Sequence, residues 1–259
     1  MDRNTLLAFF LIAFVLILTP KYLEIFAPPR LEESQTENAD FPNDNKTTEP
    51  FASNIAPQKE VKKQPNDLTE WGILGGIVGK KSGSYWEIPI IEGLDFIPSS
   101  DEMKHFGAAM ASYGSTPMFH LREITPEAKL IDQTIIDNLE IIDITENDIN
   151  SLKSQFGSKG DKVDVVVFAA PQLSIIEMKK VASLCKNNNF VIPVIVCTSP
   201  QVYADARRMN LVQEIESSGA KVLEGTCFYN QYAKEIGEAN GWKKLLSNST
   251  KIVNILGGY

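Results

Sequence analysis

Two cysteines, Cys197 and Cys227, sit at corresponding strand ends: the first after the apolar run Val191 to Val196, the second near the end of the strand expected over Lys221 to Phe228. Thiolates in such positions are soft metal ligands, and a helix N-terminus beside one favours its ionised form. Cys197 stands just before Ser199-Pro200, which reads as a helix start with Pro at the first helical position. The bland alternative for both is a buried structural thiol. Cys185 falls on the apolar stripe of its own helix and reads as core. His120 follows Thr116-Pro117-Met118-Phe119 near Arg122 and Glu123, where acid–base work and a satisfied strand histidine are equal readings. His105 follows Lys104 and reads as solvated. Thr198, Ser199 and Ser249 fit either anion contacts or helix caps.

The elements that must position these groups are legible in the last part of the chain. Val163 to Phe168 is a continuous apolar run, as in a strand buried on both faces. Ser174 caps a helix reaching about Lys186, with Ile175, Met178, Val181, Ala182 and Cys185 inside. Val191 to Val196 is the next strand, and a helix from Pro200 runs past Tyr203, Ala206, Met209 and Ile215 to Gly219. Lys221 to Phe228 is a third strand. Strands alternating with helices of this length predict an α/β fold, a parallel sheet with flanking helices. Ligands of such sheets bind beyond the carboxyl ends of the strands. The loops 169–172, 197–200 and 226–230 fall there.

Upstream, Trp71, Ile73, Leu74, Ile77 and Val78 recur at helical spacing with Gly72, Gly75, Gly76 and Gly79 between them, which reads as close helix packing rather than phosphate binding. Ser99 with Asp101 and Glu102 marks another helix start, with Met103, Phe106, Ala109 and Met110 on one face. Thr116 to Leu121 reads as a strand.

Composition narrows the function. The 259 residues are 43% hydrophobic and 22% charged with a formal net charge of -8, so the chain can bury a sizeable core but lacks the basic stripe that nucleic-acid binding requires. Three cysteines give no disulfide framework. Leu6 to Leu18 is an unbroken apolar run, and apolar character resumes at Tyr22, Leu23, Ile25 and Phe26. Residues 5–26 approach the ~20 that cross a bilayer. The expected organisation is one transmembrane helix as anchor over 1–26, a disordered linker over 27–66, and an α/β domain over 67–259. A single-pass protein of a bacterial inner membrane is the expected location.

Thr116-Pro117-Met118-Phe119-His120-Leu121 with Thr125-Pro126-Glu127-Ala128, Val196-Cys197-Thr198-Ser199, Gly225-Thr226-Cys227, Trp71-Gly72 with Gly79-Lys80, and Ser247-Asn248-Ser249 with Lys251 occur in the order of the aconitase X pattern. Residues 67 to 257 resemble the C-terminal half of that family's large domain. The resemblance implies an aconitase-like three-layer subdomain. It implies a hydro-lyase acting on a small hydroxy acid such as 3-hydroxyproline or phosphomevalonate through an iron–sulfur centre, in which iron holds the leaving hydroxyl and a base removes the α-proton. It implies catalytic roles for His120 and Ser249, substrate contacts from Thr198, Ser199, Asn248 and Ser174, and metal ligation by Cys197 and Cys227. The family's Pro-His loop reads Pro171-Gln172 here. A partner chain is expected to supply the rest of the large domain and the small domain. The first ~30 residues resemble the start of the YidC-family membrane insertases, in a short match of low specificity. The alternative expectation is a non-catalytic membrane-tethered remnant, or a fusion of an insertase N-terminus with a dehydratase fragment.

Overall fold

The computed structural model describes Pro65 and residues 67–257 apart from 158, 159, 161, 231 and 232. The expected anchor and almost all of the expected linker lie outside the described residues. Among the described residues, no helix is long and apolar enough to cross a membrane.

Two long helices form the first layer. α1 (Leu68–Ser82) is capped by Asp67, whose side chain accepts from the Glu70 amide, and it ends at Gly83 in the left-handed region with φ 62°. β1 (Ile90–Ile91) follows, then α2 (Ser100–Gly114), which opens in a capping box between Ser99 and Glu102. The glycines of α1 do what their spacing predicts. A Cβ on Gly75 would collide with the Phe106 carbonyl, and one on Gly79 with that of Met110. Glycine therefore lets the two helix backbones touch. Trp71 and Phe106 meet edge to face at 6.2 Å beside this contact, and Phe106 meets Phe119 at 4.7 Å.

The expected strand over 116–121 shortens to β2 (His120–Leu121), paired in parallel with β1. A 3-10 turn (Pro126–Leu130), α3 (Gln133–Ile136) and α4 (Glu146–Lys153) complete this layer. α4 packs Leu152 against Ile73 and Ile77 of α1.

The second layer is the parallel sheet. β3 (Val165–Leu173) leads into α5 (Ile175–Cys185), β4 (Val194–Thr198), α6 (Pro200–Arg208), α7 (Leu211–Ser217) and β5 (Lys221–Glu224). α8 (Ala233–Asn240), β6 (Leu245–Leu246) and α9 (Thr250–Leu256) close it. Among the described residues the strand order is β5-β4-β3-β6. Every pairing is parallel. One core lies under α5, α6 and α7 around Met178, Val196 and Ile215. The other lies on the opposite face around Val167, Cys197, Phe228 and Ile252.

Several expected boundaries move. The first strand of the sheet starts at Val165 and extends to Leu173. The second starts at Val194 rather than Val191, which is 97% exposed, and the third stops at Glu224. The single helix expected from Pro200 to Gly219 is two, because Asn210 adopts φ 65° between them. Asparagine tolerates that conformation better than most residues.

The layers are joined twice. Near α9, Thr250 lies where a Cβ on Gly72 would stand 2.7 Å from its Oγ1, and Asn254 Nδ2 donates to Ser112 O at 2.9 Å. The second joint runs from α2 to the start of α5 and borders the candidate site.

Candidate functional site at the carboxyl edge of the sheet

The carboxyl ends of β3, β4 and β5 lie side by side. Leu173 pairs with Thr198, and Thr198 with Glu224. Cys197, the penultimate residue of β4, is wholly buried. Cys227 is half-buried in the turn after β5 and packs against the cluster that contains Cys197. Burial pushes the Cys197 thiol up to about 11, the neighbouring Cys227 pushes in the same direction, and a hydrogen bond from the Phe228 amide opposes them. The expectation that a helix start lowers its pKa is therefore corrected. Ser199, not Cys197, occupies the N-cap of α6, and an apolar core surrounds the thiol. Burial and hydrogen bonding with Cys227 likewise raise Tyr229.

The hydroxyls assigned to substrate contacts hold the loops together. Thr198 Oγ1 donates to Leu173 O at 2.6 Å, and Thr198 O accepts from the Gly225 amide at 2.9 Å. Ser199 Oγ accepts from the Val202 amide at 3.2 Å, and Ser174 Oγ accepts from the Glu177 amide at 3.1 Å. Ser249 is buried, donates to Ala170 O, and accepts from the Ile252 amide at 3.2 Å. All three serines are N-caps. Asn248 is half-buried beside Ser249. The structure thus gathers Ser174, Thr198, Ser199, Cys197 and Cys227 at one sheet edge, with Ser249 tied to the loop after β3. His120 stands on β2 in the other layer, and its Nδ1 is buried with no hydrogen-bond partner.

Sequence reasoning missed the joint beside this edge. His105, read as solvated, is 3% exposed. Its Nε2 lies 2.9 Å from Glu177 Oε1. Glu177 Oε2 also accepts from Lys104 Nζ and, at 2.7 Å, from the Ser174 amide. Burial alone would raise the Glu177 pKa, but His105, Lys104 and the Ser174 amide override it and hold the carboxyl down at about 2. The carboxylate only accepts, so the His105 Nε2 carries a proton. Lys104 also pairs with Asp101 at 3.0 Å and donates to Gln172 O at 3.1 Å, while Ser174 Oγ donates to Asp101 at 2.7 Å. The Ser-x-x-Glu spacing of Ser174 and Glu177 was the readable signal. The partners of Glu177 on α2 had none, because they lie far away in sequence.

An iron–sulfur cluster takes thiolate ligands, four in its common forms. Cys197 and Cys227 are two soft donors at one place, and no group of three or more His, Cys, Asp or Glu side chains among the described residues is arranged to hold a metal. The chemistry of the pair suits the group, but the donors among the described residues do not complete it.

A parallel sheet of this order, with two cysteines at its carboxyl edge and a helical layer joined beside it, is an α/β architecture whose ligand-binding edge carries soft donors. The matched families agree. Residues 56–154 match the aconitase X second domain and residues 163–259 the aconitase X third domain. The chain belongs to the aconitase X family. Neither match reaches the first ~30 residues, so the insertase likeness there has no counterpart in them. The phosphomevalonate dehydratase large subunit of Methanocaldococcus jannaschii is 32% identical over 184 residues, covering 70% of this chain and 43% of that one. The cis-3-hydroxy-L-proline dehydratase of Hypocrea jecorina is 31% identical over 175 residues, 65% of this chain and 29% of that one. The crystal structure of Thermococcus kodakaraensis aconitase X in its holo form superposes with a TM-score of 0.67 at 25% identity, covering 76% of this chain and 49% of that one. The chain spans less than half the length of these relatives.

Proposed function

We propose that this chain provides the second and third domains of an aconitase X-type dehydratase that removes water from a small hydroxy acid, 3-hydroxyproline or phosphomevalonate being the model substrates. The observation that carries this reading is that Cys197 lies in, and Cys227 packs against, one apolar cluster at the carboxyl edge of the sheet. In the proposed assembly these two thiols are donors to an iron–sulfur centre whose other ligands come from the part of the family that this chain does not span. Ser174, Thr198, Ser199 and Asn248 line the substrate side. His120 and Ser249 are the proposed acid–base groups. Ser249 already donates to Ala170 O, so its role in catalysis requires that bond to exchange for one to substrate.

A partner chain is supported by the large apolar side chains that the described layers leave in water. Trp86, Ile97, Leu130 and Ile141 are each at least 79% exposed. Apolar surface of this kind marks interaction sites. The run over residues 5–26 supports a membrane tether for the assembly, and extraction of the native membrane with alkaline carbonate tests it. A peripheral chain would wash off and a spanning one would stay.

The decisive experiment is anaerobic reconstitution of the full chain with iron and sulfide, alone and with polypeptides equivalent to the missing first domain and the small subunit of a relative. Iron retention and substrate dehydration only in the complemented mixture support the proposal. A complemented mixture that loads iron equally well when this chain carries Cys197→Ser and Cys227→Ser rules it out.

A further inference from the structure

Gln172 stands in the last turn of chain before α5, at the end of β3. Its side chain does not stay on its own strand. Nε2 donates to Thr226 O at 2.9 Å, in the turn after β5. β3 and β5 are not neighbours, since β4 lies between them. The Gln172 side chain therefore bridges β3 and β5 across the carboxyl end of β4, where Cys197 and Thr198 sit. Its target is the residue before Cys227.

The turn bearing Cys227 has three anchors. The Gly225 amide donates to Thr198 O at 2.9 Å, the Phe228 amide points at the Cys197 sulfur, and Gln172 holds the carbonyl between them. Gln172 itself is held from the other layer, because Lys104 Nζ donates to its backbone carbonyl at 3.1 Å. We propose that Gln172 is a positioning residue: by fixing Thr226 it sets the separation and orientation of Cys227 relative to Cys197, and through Lys104 it ties that geometry to α2.

This rests on the thiol-pair reading of the proposed function. Its test needs no cluster. Phenylarsine oxide condenses with two thiols that it can span. Two As–S bonds form, the As=O bond breaks, and its oxygen leaves as water with the two thiol protons. Arsenic stays trivalent and no oxidant is consumed. In the full chain carrying Cys185→Ser, which removes the thiol of the other core, the arsenical is titrated against Q172M and Q172H, with thermal midpoints read in parallel. One unmade hydrogen bond predicts arsenical affinity about tenfold weaker in Q172M. Q172H, whose ring N–H can donate, restores it. Equal affinity in Q172M, or equal loss in Q172M and Q172H, overturns the proposal. So does a fall in thermal midpoint with affinity unchanged. If Q172M does not fold, Q172E keeps the length and polarity, removes the donor, and carries the same comparison. Absence of a one-to-one adduct after an incubation in which an alkylating reagent does reach Cys197 has a different meaning: it removes the thiol pair itself, and the proposed function with it.

Discussion

His105 of α2 and Glu177 of α5, side chains from two different layers, are hydrogen-bonded at 2.9 Å and both buried. Truncating one partner of such a pair leaves the other unsatisfied, which costs more than the bond is worth. His105→Ala is expected to destabilise the chain by about 2–4 kcal/mol in urea melts. A loss below about 0.5 kcal/mol would mean that Lys104 and Ser174 suffice to hold Glu177.

The same carboxylate predicts the acid limb of stability. Its folded pKa of about 2 lies below the ordinary 4.5. A depressed carboxylate adds stability that is present in full above the unfolded pKa. That stability is lost as pH falls from about 4.5 toward about 2. The loss is on the order of 3 kcal/mol at about 1.4 kcal/mol per pH unit. Urea midpoints measured across this window should fall steeply in the parent and more gently in Glu177→Gln. Parallel slopes would assign the acid limb to other groups.

Thiol reactivity should separate the cysteines. Cys197 is buried with its pKa pushed up to about 11, and Cys185 is also buried, whereas Cys227 is half-buried. Brief alkylation near neutral pH, followed by peptide mapping, should label Cys227 first. Early labelling of Cys197 would show that the carboxyl edge opens more readily than its packing implies.

Gly79 and Gly114 face one another where α1 crosses α2, with no room for a Cβ on either. Gly79→Ala should cost about 1–3 kcal/mol, because backbone rather than a flexible side chain must give way. Gly237 of α8, where a Cβ would meet only Trp242 O at 3.5 Å, offers the control in the same melts.

Ser249→Ala removes a donor to Ala170 and the cap of α9. Thermal unfolding should register a loss of about 1–2 kcal/mol even without substrate. An unchanged midpoint would leave a catalytic role as the main reason for this serine.

Much of this architecture was written locally. The serine caps, the apolar strand runs and the glycine face of α1 each depend on residues a few positions apart, so periodicity reveals them. The family likeness of residues 67–257 rested on short motifs that keep their order. What stayed hidden depends on distant partners or single conformations. Nothing near His105 announces Glu177, and Asn210 looks like an ordinary helical position until its φ is seen. The strand expected over 116–121 shrank because only His120 and Leu121 find a partner in β1. The direction of the Cys197 pKa shift stayed hidden because helix proximity is visible in sequence and the extent of burial is not.

Glu177 takes part in two structures at once: it closes the capping box of α5 with Ser174, and it receives His105 and Lys104 from the other layer. A separation of the layers at this point therefore frays the first turn of α5. The amides of Ser174 and Glu177 become gauges of that event. Their exchange with deuterated solvent should proceed at the rate at which the joint breathes, and not at the rate of an isolated helix end.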